Sequence, residues 1–278
     1  MRGWILGLTL LGVATTAGAE TPVERGRYLV ETIAACGNCH TPMGADGPER
    51  ARHLAGGLVV VDDATMRAVA PNITPDPETG IGAWSDAEIV RAIREGVRPD
   101  GRVLGPSMPF TLYRDLADED VTAMVAYLRT VAPVRHVVER SAYNFPLPAA
   151  WGPPVAAVAA PPRSDKLAYG AYLAGPVGHC VECHSPPDEA GQPQTMTRRG
   201  WGGFAFPGPW GVSVSADITP TGLADWSDAE IIRAITQGVS RDGRPLLPPM
   251  GFAYYAGMRA ADLEALVAYL RALPPSGG

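Results

Sequence analysis

Apolar residues recur at helical spacing in three stretches of the first half of the chain. From about Val23 to Ala34, Leu29, Val30 and Ile33 share one side. A second stretch opens at Ser85 and carries Ile89, Ala92 and Ile93. Ser85 and Glu88 have the spacing of a capping box, and Gly96 is placed to end the helix. The third runs from about Glu119 to Val131, with Val121, Met124, Val125 and Leu128 apolar. Ser227, Glu230 and Gly238 repeat the signals of the second stretch, and the last helix of the chain ends at Leu273. No stretch alternates convincingly with period two, and Gly57 to Val61 is a short apolar run that periodicity does not assign. The pattern predicts an all-α chain.

The repetition goes beyond the helices. Gly26-Arg27-Tyr28-Leu29 returns as Gly170-Ala171-Tyr172-Leu173, and Asn72-Ile73-Thr74-Pro75 as Asp217-Ile218-Thr219-Pro220. Trp84-Ser85-Asp86-Ala87-Glu88-Ile89 returns as Trp226-Ser227-Asp228-Ala229-Glu230-Ile231, and Ala126-Tyr127-Leu128-Arg129 as Ala268-Tyr269-Leu270-Arg271. One domain is therefore duplicated in tandem. Residues 133–162 fit neither copy. Pro146, Pro148, Pro153, Pro154, Pro161 and Pro162 forbid a continuous helix and predict a semi-rigid linker. Tyr143, Phe145, Leu147 and Trp151 predict that it lies against the domains; a loose tether is the alternative.

Cys36-Gly37-Asn38-Cys39-His40 recurs as Cys180-Val181-Glu182-Cys183-His184, and these copies use all four cysteines. C-x-x-C-H is the attachment site of a c-type haem: both thiols join the porphyrin and the histidine ligates iron. Zinc binding or thiol–disulfide exchange would not demand a histidine after each second cysteine. The motifs thus predict two covalently bound haem c groups, through Cys36 and Cys39 and through Cys180 and Cys183, with His40 and His184 as axial ligands.

The sixth ligand separates electron transfer from chemistry on a small molecule, since methionine fills the position and raises the potential. Of the eight methionines, only Met108 and Met250 are matched between the copies. Both stand in proline-rich loops that pre-set the backbone. They are the predicted sixth ligands; Met43, Met66, Met124, Met196 and Met258 are expected to be structural. His53, His136 and His179 have no counterparts and are expected to be surface or hydrogen-bonded residues. Arg102 and Arg244 fit either a haem propionate or a solvated loop, and Trp84 and Trp226 either the haem edge or the core.

Residues 1–19 read as a cleavable export signal: Arg2, the apolar run Trp4 to Ala14, then Ala17-Gly18-Ala19. An uncleaved anchor is the alternative, but the run falls short of the about 20 apolar residues needed to span a bilayer. The expected organisation is a signal peptide over 1–19, domains over 20–132 and 163–278, and the linker over 133–162. The expected location is the periplasm, with no transmembrane segment in the mature chain. Lys+Arg 23 against Asp+Glu 29 gives a net charge of −6, and Lys166 is the only lysine. That balance argues against nucleic acid as a partner.

On these motifs the chain resembles tandem class I cytochrome c domains, and is similar to the cytochrome c subunits of bacterial periplasmic alcohol, gluconate and fructose dehydrogenases. The more particular run is Asn72-Ile73-Thr74-Pro75-Asp76-Pro77-Glu78-Thr79-Gly80-Ile81-Gly82, followed by Trp84-Ser85-Asp86 and Arg98-Pro99-Asp100-Gly101-Arg102. The resemblance implies electron transfer without catalysis of its own, from a periplasmic dehydrogenase toward a downstream cytochrome or terminal oxidase. Those subunits usually carry three haem motifs where this chain has two, so quinone reduction and membrane docking do not carry over. A dihaem peroxidase-like enzyme is the alternative function; it needs one open iron, and methionines matched in both copies count against it.

Overall fold

The computed structural model describes residues 19–189 and 191–277. The expected export signal therefore lies, but for Ala19, outside the described residues. The first half opens with α1 (Pro22–Tyr28), capped by Thr21 and Glu24, and continues into a wide π-turn over Leu29–Ile33. Next come α2 (Cys36–His40), the short strands β1 (Met43–Gly44) and β2 (Gly47–Pro48), and the pair β3 (Val59–Asp62) and β4 (Met66–Val69). Helices α3 (Asp86–Glu95), α4 (Phe110–Tyr113) and α5 (Asp118–Leu128) complete it. After β5 (Ala142–Tyr143), the second half repeats the plan: α6 (Lys166–Tyr172), a π-turn over Leu173–Val177, α7 (Cys180–Cys183), β6 (Ala205–Gly208), β7 (Gly211–Val214), α8 (Asp228–Gln237), α9 (Phe252–Tyr255) and α10 (Ala260–Ala272).

The all-α expectation is corrected by the strands. Three small antiparallel sheets accompany the helices: β1–β2, β3–β4–β5 and β6–β7. Helical and sheet segments alternate because each long loop after a C-x-x-C-H motif folds back on itself. In the first half Val59 pairs with Val69 and Asp62 with Arg67, around a bulge between Val59 and Val61. In the second, Ala205 pairs with Val214 and Gly208 with Gly211. Strands of four residues or fewer, carrying a bulge, glycines or Pro207, hold too little alternation for period two to register. The third strand of the larger sheet comes from the proline-rich segment, where Tyr143 pairs with Met66. That segment runs along the first half: Trp151 donates its indole N–H to the Leu104 carbonyl (2.8 Å) and stacks on Phe110.

Each half is held by its first and last helices crossing at a glycine. A Cβ on Gly26 would lie 1.8 Å from the Ala123 carbonyl oxygen, and one on Gly170 2.0 Å from that of Ala265, so only glycine permits the approach. Ser85–Glu88 and Ser227–Glu230 both form complete capping boxes, and Gly96 and Gly238 end their helices in the left-handed conformation. Arg129 and Arg271, in the repeated Ala-Tyr-Leu-Arg, donate to the carbonyls of Trp84 and Trp226 and so tie the last helix to the tryptophan loop.

The two halves share one continuous apolar core and meet through reciprocal contacts. Tyr28 donates its hydroxyl to Asp262 (2.6 Å) in the opposite half, and Tyr172 donates to Asp120 (2.7 Å). Each tyrosine oxygen also accepts the amide at the start of the helix it reaches, from Arg259 (2.9 Å) and Ala117 (3.1 Å). Neither of those two N-cap residues caps its helix with its own side chain, and the opposite half's tyrosine accepts the N-cap amide instead. Among the described residues, no helix is long and apolar enough to cross a membrane.

Candidate haem-attachment sites

Both C-x-x-C-H motifs form a single helical turn entered through a residue in the left-handed region, Ala35 at φ 47° and His179 at φ 41°. Such a conformation costs a residue with a Cβ about 1–3 kcal/mol, and persists only where the surroundings impose it. Here the preceding π-turn imposes it: the Ala34 amide bonds the Leu29 carbonyl (2.9 Å), and that of Gly178 bonds the Leu173 carbonyl (2.8 Å). The turn brings two thiols and an imidazole to one side of the chain. No disulfide joins the four cysteines. Burial pushes Cys36 up to about 12 and Cys180 up to about 11.

The histidines are oriented alike. His40 Nδ1 lies 2.8 Å from the Pro71 carbonyl oxygen, and His184 Nδ1 lies 2.7 Å from that of Ala216. A carbonyl only accepts, so each Nδ1 carries the proton and each Nε2 keeps its lone pair free for a metal. Burial holds both imidazoles below their usual range, against the opposing pull of the carbonyl bond, and so favours the neutral, ligating form. The glycine packed against that carbonyl's backbone is tied to the motif. Gly56 donates to the His40 carbonyl (2.7 Å) and Gly202 to that of His184 (2.9 Å). At φ 73° and 68°, with a virtual Cβ within 2.6 Å of the Pro71 and Ala216 backbones, neither glycine has room for a side chain. The repeated Asn72-Ile73-Thr74 and Asp217-Ile218-Thr219 close Asx turns directly after these carbonyls, with Thr74 N to Asn72 Oδ1 at 2.9 Å and Thr219 N to Asp217 Oδ1 at 2.8 Å. These turns account for the most family-specific run in the sequence: it presents a carbonyl to a histidine.

Met108 and Met250 are half-buried and occupy matched loops. Each loop is pinned at its base, Leu104 to the Gly96 carbonyl and Leu246 to the Gly238 carbonyl, both at 2.7 Å. Each methionine carbonyl accepts the first amide of the following short helix, from Phe110 (2.8 Å) and Phe252 (3.0 Å). Those helices lead back to the thiols. Burial raises the Tyr113 phenol well above its usual range, with Cys36 and Cys39 adding to the effect; Tyr255 is raised likewise, with Cys180 and Cys183 adding. The half-buried apolar residues around the core include Cys36, Ile73, Trp84 and Met108 in one half and Cys180, Ile218 and Trp226 in the other. Paired thiols, an imidazole with a directed lone pair, and an apolar surround together fit a covalently bound haem. No group of three or more His, Cys, Asp or Glu among the described residues converges on a metal position.

The remaining candidates have local partners. Arg102 pairs with Asp100 (2.7 Å) and Arg244 with Asp242 (2.6 Å), each within its own Asp-Gly-Arg loop. Arg98 lies over the Trp84 ring. His53 bonds Glu31 (2.9 Å) and Thr41 (3.0 Å), His136 bonds the Ala55 carbonyl (2.9 Å), and His179 meets the edge of Tyr113. Met124 and Met258 are core residues; Met43 and Met196 are exposed. Two features had gone unread in the sequence: the left-handed residue before each motif and the crossed Tyr–Asp pairs. The second had a signal, since Tyr28/Tyr172 and Asp120/Asp262 are matched between the copies.

Residues 23–132 match the family model described as Cytochrome c. A protein named diheme cytochrome c-type, from Cereibacter sphaeroides, is 31% identical over 93% of this chain and 88% of its own length. A nicotinate dehydrogenase subunit of Pseudomonas putida is 34% identical over 98% of this chain, and the fructose dehydrogenase cytochrome subunit of Gluconobacter japonicus 31% over 94%. The chain spans only 23% and 54% of the length of those two relatives. With both motifs built to present thiols and a neutral imidazole, and with a relative alike over nearly its whole length, this chain belongs to the cytochrome c family of electron-transfer proteins that bind haem c covalently.

Proposed function

We propose that the protein is a two-haem electron carrier of the periplasm, serving a dehydrogenase and passing electrons on to another cytochrome or a terminal oxidase. His40 and Met108 hold the iron of the first half, residues 20–132; His184 and Met250 hold that of the second, residues 163–278. The observation that carries this is the duplicated ligand geometry: each motif histidine frees Nε2 through a carbonyl bond at 2.7–2.8 Å, and each half supplies one matched methionine. Haem iron supplies the one-electron step; the chain fixes ligand identity and burial, which set the potential. Two methionine-filled sites leave neither iron open to a small molecule. Two haems also let one carrier take both electrons of a substrate oxidation. The dehydrogenase partner is supported by the names of the nicotinate and fructose dehydrogenase relatives.

Replacing methionine by histidine lowers a haem's potential. Met108→His and Met250→His are each expected to lower one of two midpoints in a spectroelectrochemical titration and leave the other in place. A variant whose two midpoints both stay at the wild-type values removes that methionine from the ligand set.

A further inference from the structure

We propose that Asn38, inside the first haem-attachment motif, is a positioning residue for the sixth ligand of the opposite half's iron. The proposal rests on the ligation of Met250 proposed above. Asn38 Nδ2 donates to the carbonyl oxygen of Pro249 at 3.1 Å, and Pro249 directly precedes Met250. The contact extends on both sides of the methionine. A Cβ on Gly251 would stand 3.6 Å from Ala35 Cβ and from Asn38 Cγ, an ordinary packing distance. Further along, a Cβ on Gly37 would come within 2.5 Å of the Tyr254 hydroxyl. The second half's methionine loop and α9 therefore ride on the first half's motif helix, with Asn38 as the hydrogen-bonding point nearest the sulfur-bearing residue.

The mirror-related contact has a different chemistry. Glu182 stands where Asn38 does and has no amide to donate; its carboxyl group faces His179 at 3.6 Å. Ser107 stands where Pro249 does and directs its hydroxyl to the Met66 sulfur at 3.6 Å. The copies thus diverge at the hydrogen-bonded pair, Asn38 and Pro249, that joins the first motif to the opposite methionine loop. Support runs one way, from the first motif to Met250. A side-chain amide holding the carbonyl before the ligand limits how far the loop can swing, so the thioether competes better with any external ligand.

The test uses the holoprotein with imidazole as competitor. Ferric Asn38→Ala and Asn38→Asp are titrated with imidazole, and displacement of methionine is followed by loss of the methionine–iron absorbance at the red edge of the visible spectrum. Met250→Ala identifies which contribution belongs to the second half. A net hydrogen bond is worth enough that imidazole is expected to bind that iron about fivefold more tightly in both variants, which is about 1 kcal/mol at 1.4 kcal/mol per tenfold. The first half's iron should keep its wild-type affinity, although Asn38 lies in its own motif; a merely local disturbance would move that iron instead. Haem attachment is not at stake, because the second motif carries glutamate at this position. Unchanged affinity at the second iron, or equal tightening at both, overturns the role of Asn38. If Met250→Ala leaves both red-edge contributions intact, the ligation of Met250 fails first and the role of Asn38 falls with it.

Discussion

Asp120 and Asp262 are mirror-related and accept a tyrosine hydroxyl from the opposite half, yet they should not be equivalent. Asp120 also receives Arg25, through Nε at 2.7 Å and Nη2 at 2.9 Å. The carboxylate is 2% exposed and the guanidinium 11%. Arg25 has no mirror image, since Tyr169 takes its place. Asp120→Ala strips a buried arginine of its counter-ion, which typically costs about 3–5 kcal/mol. Asp262→Ala leaves only the Tyr28 hydroxyl without its acceptor, which typically costs about 1–3 kcal/mol. Both residues sit at the third position of their helices, so the helix-dipole contribution cancels in the comparison. For a chain of this size, 1 kcal/mol moves Tm by about 2–4 °C, so Asp120→Ala should fall by about 6–20 °C and Asp262→Ala by distinctly less. Thermal melts of the two holoprotein variants, followed by far-ultraviolet circular dichroism at neutral pH, make the comparison directly. Equal losses, or a larger loss for Asp262→Ala, would refute the assignment of the ion pair as the stronger clasp.

Gly26→Ala and Gly170→Ala place a methyl carbon 1.8 Å and 2.0 Å from a backbone carbonyl oxygen, so the first and last helices must separate. Each should cost at least the upper part of the about 1–3 kcal/mol typical of overpacking, read as a lowered denaturation midpoint; a loss near zero would contradict the helix crossing. Glu88 and Glu230 are held below the usual carboxylate range by the amide and hydroxyl of Ser85 and Ser227, the amide contributing most. Because the folded value lies below the unfolded one, their contribution is complete above the unfolded value near 4.5 and is lost as pH falls through the folded value. Glu88→Ala and Glu230→Ala should therefore lower Tm at pH 7, and the gap to wild type should narrow as the pH is taken down from 4.5. A gap that stays constant through that descent would separate these carboxylates from the acid response.

How much of this was open to inspection in the sequence depended on the range of the interaction involved. Capping boxes at Ser85 and Ser227, the terminating glycines and the C-x-x-C-H turns are local, and period and spacing expose them. The proposal for Met108 and Met250 has another source: duplication marks positions that the two copies share. The strands were hidden because Val59–Val61 and Val212–Val214 gain their pairing from partners across a loop, and four residues carry no secure period. The crossed Tyr–Asp pairs and the Asn38–Pro249 bond join residues far apart in sequence. Only the packing of the halves brings them together, and no spacing rule reaches that far.

Histidine and methionine on both irons would leave two signatures in one sample of purified ferric protein. Haem quantified after alkaline pyridine treatment should give two equivalents per chain that acidified acetone does not extract, and the red-edge methionine–iron absorbance should have the intensity of two such bonds. One equivalent of haem, or a high-spin ferric component accounting for one of two haems, would contradict a pair of closed electron-transfer sites.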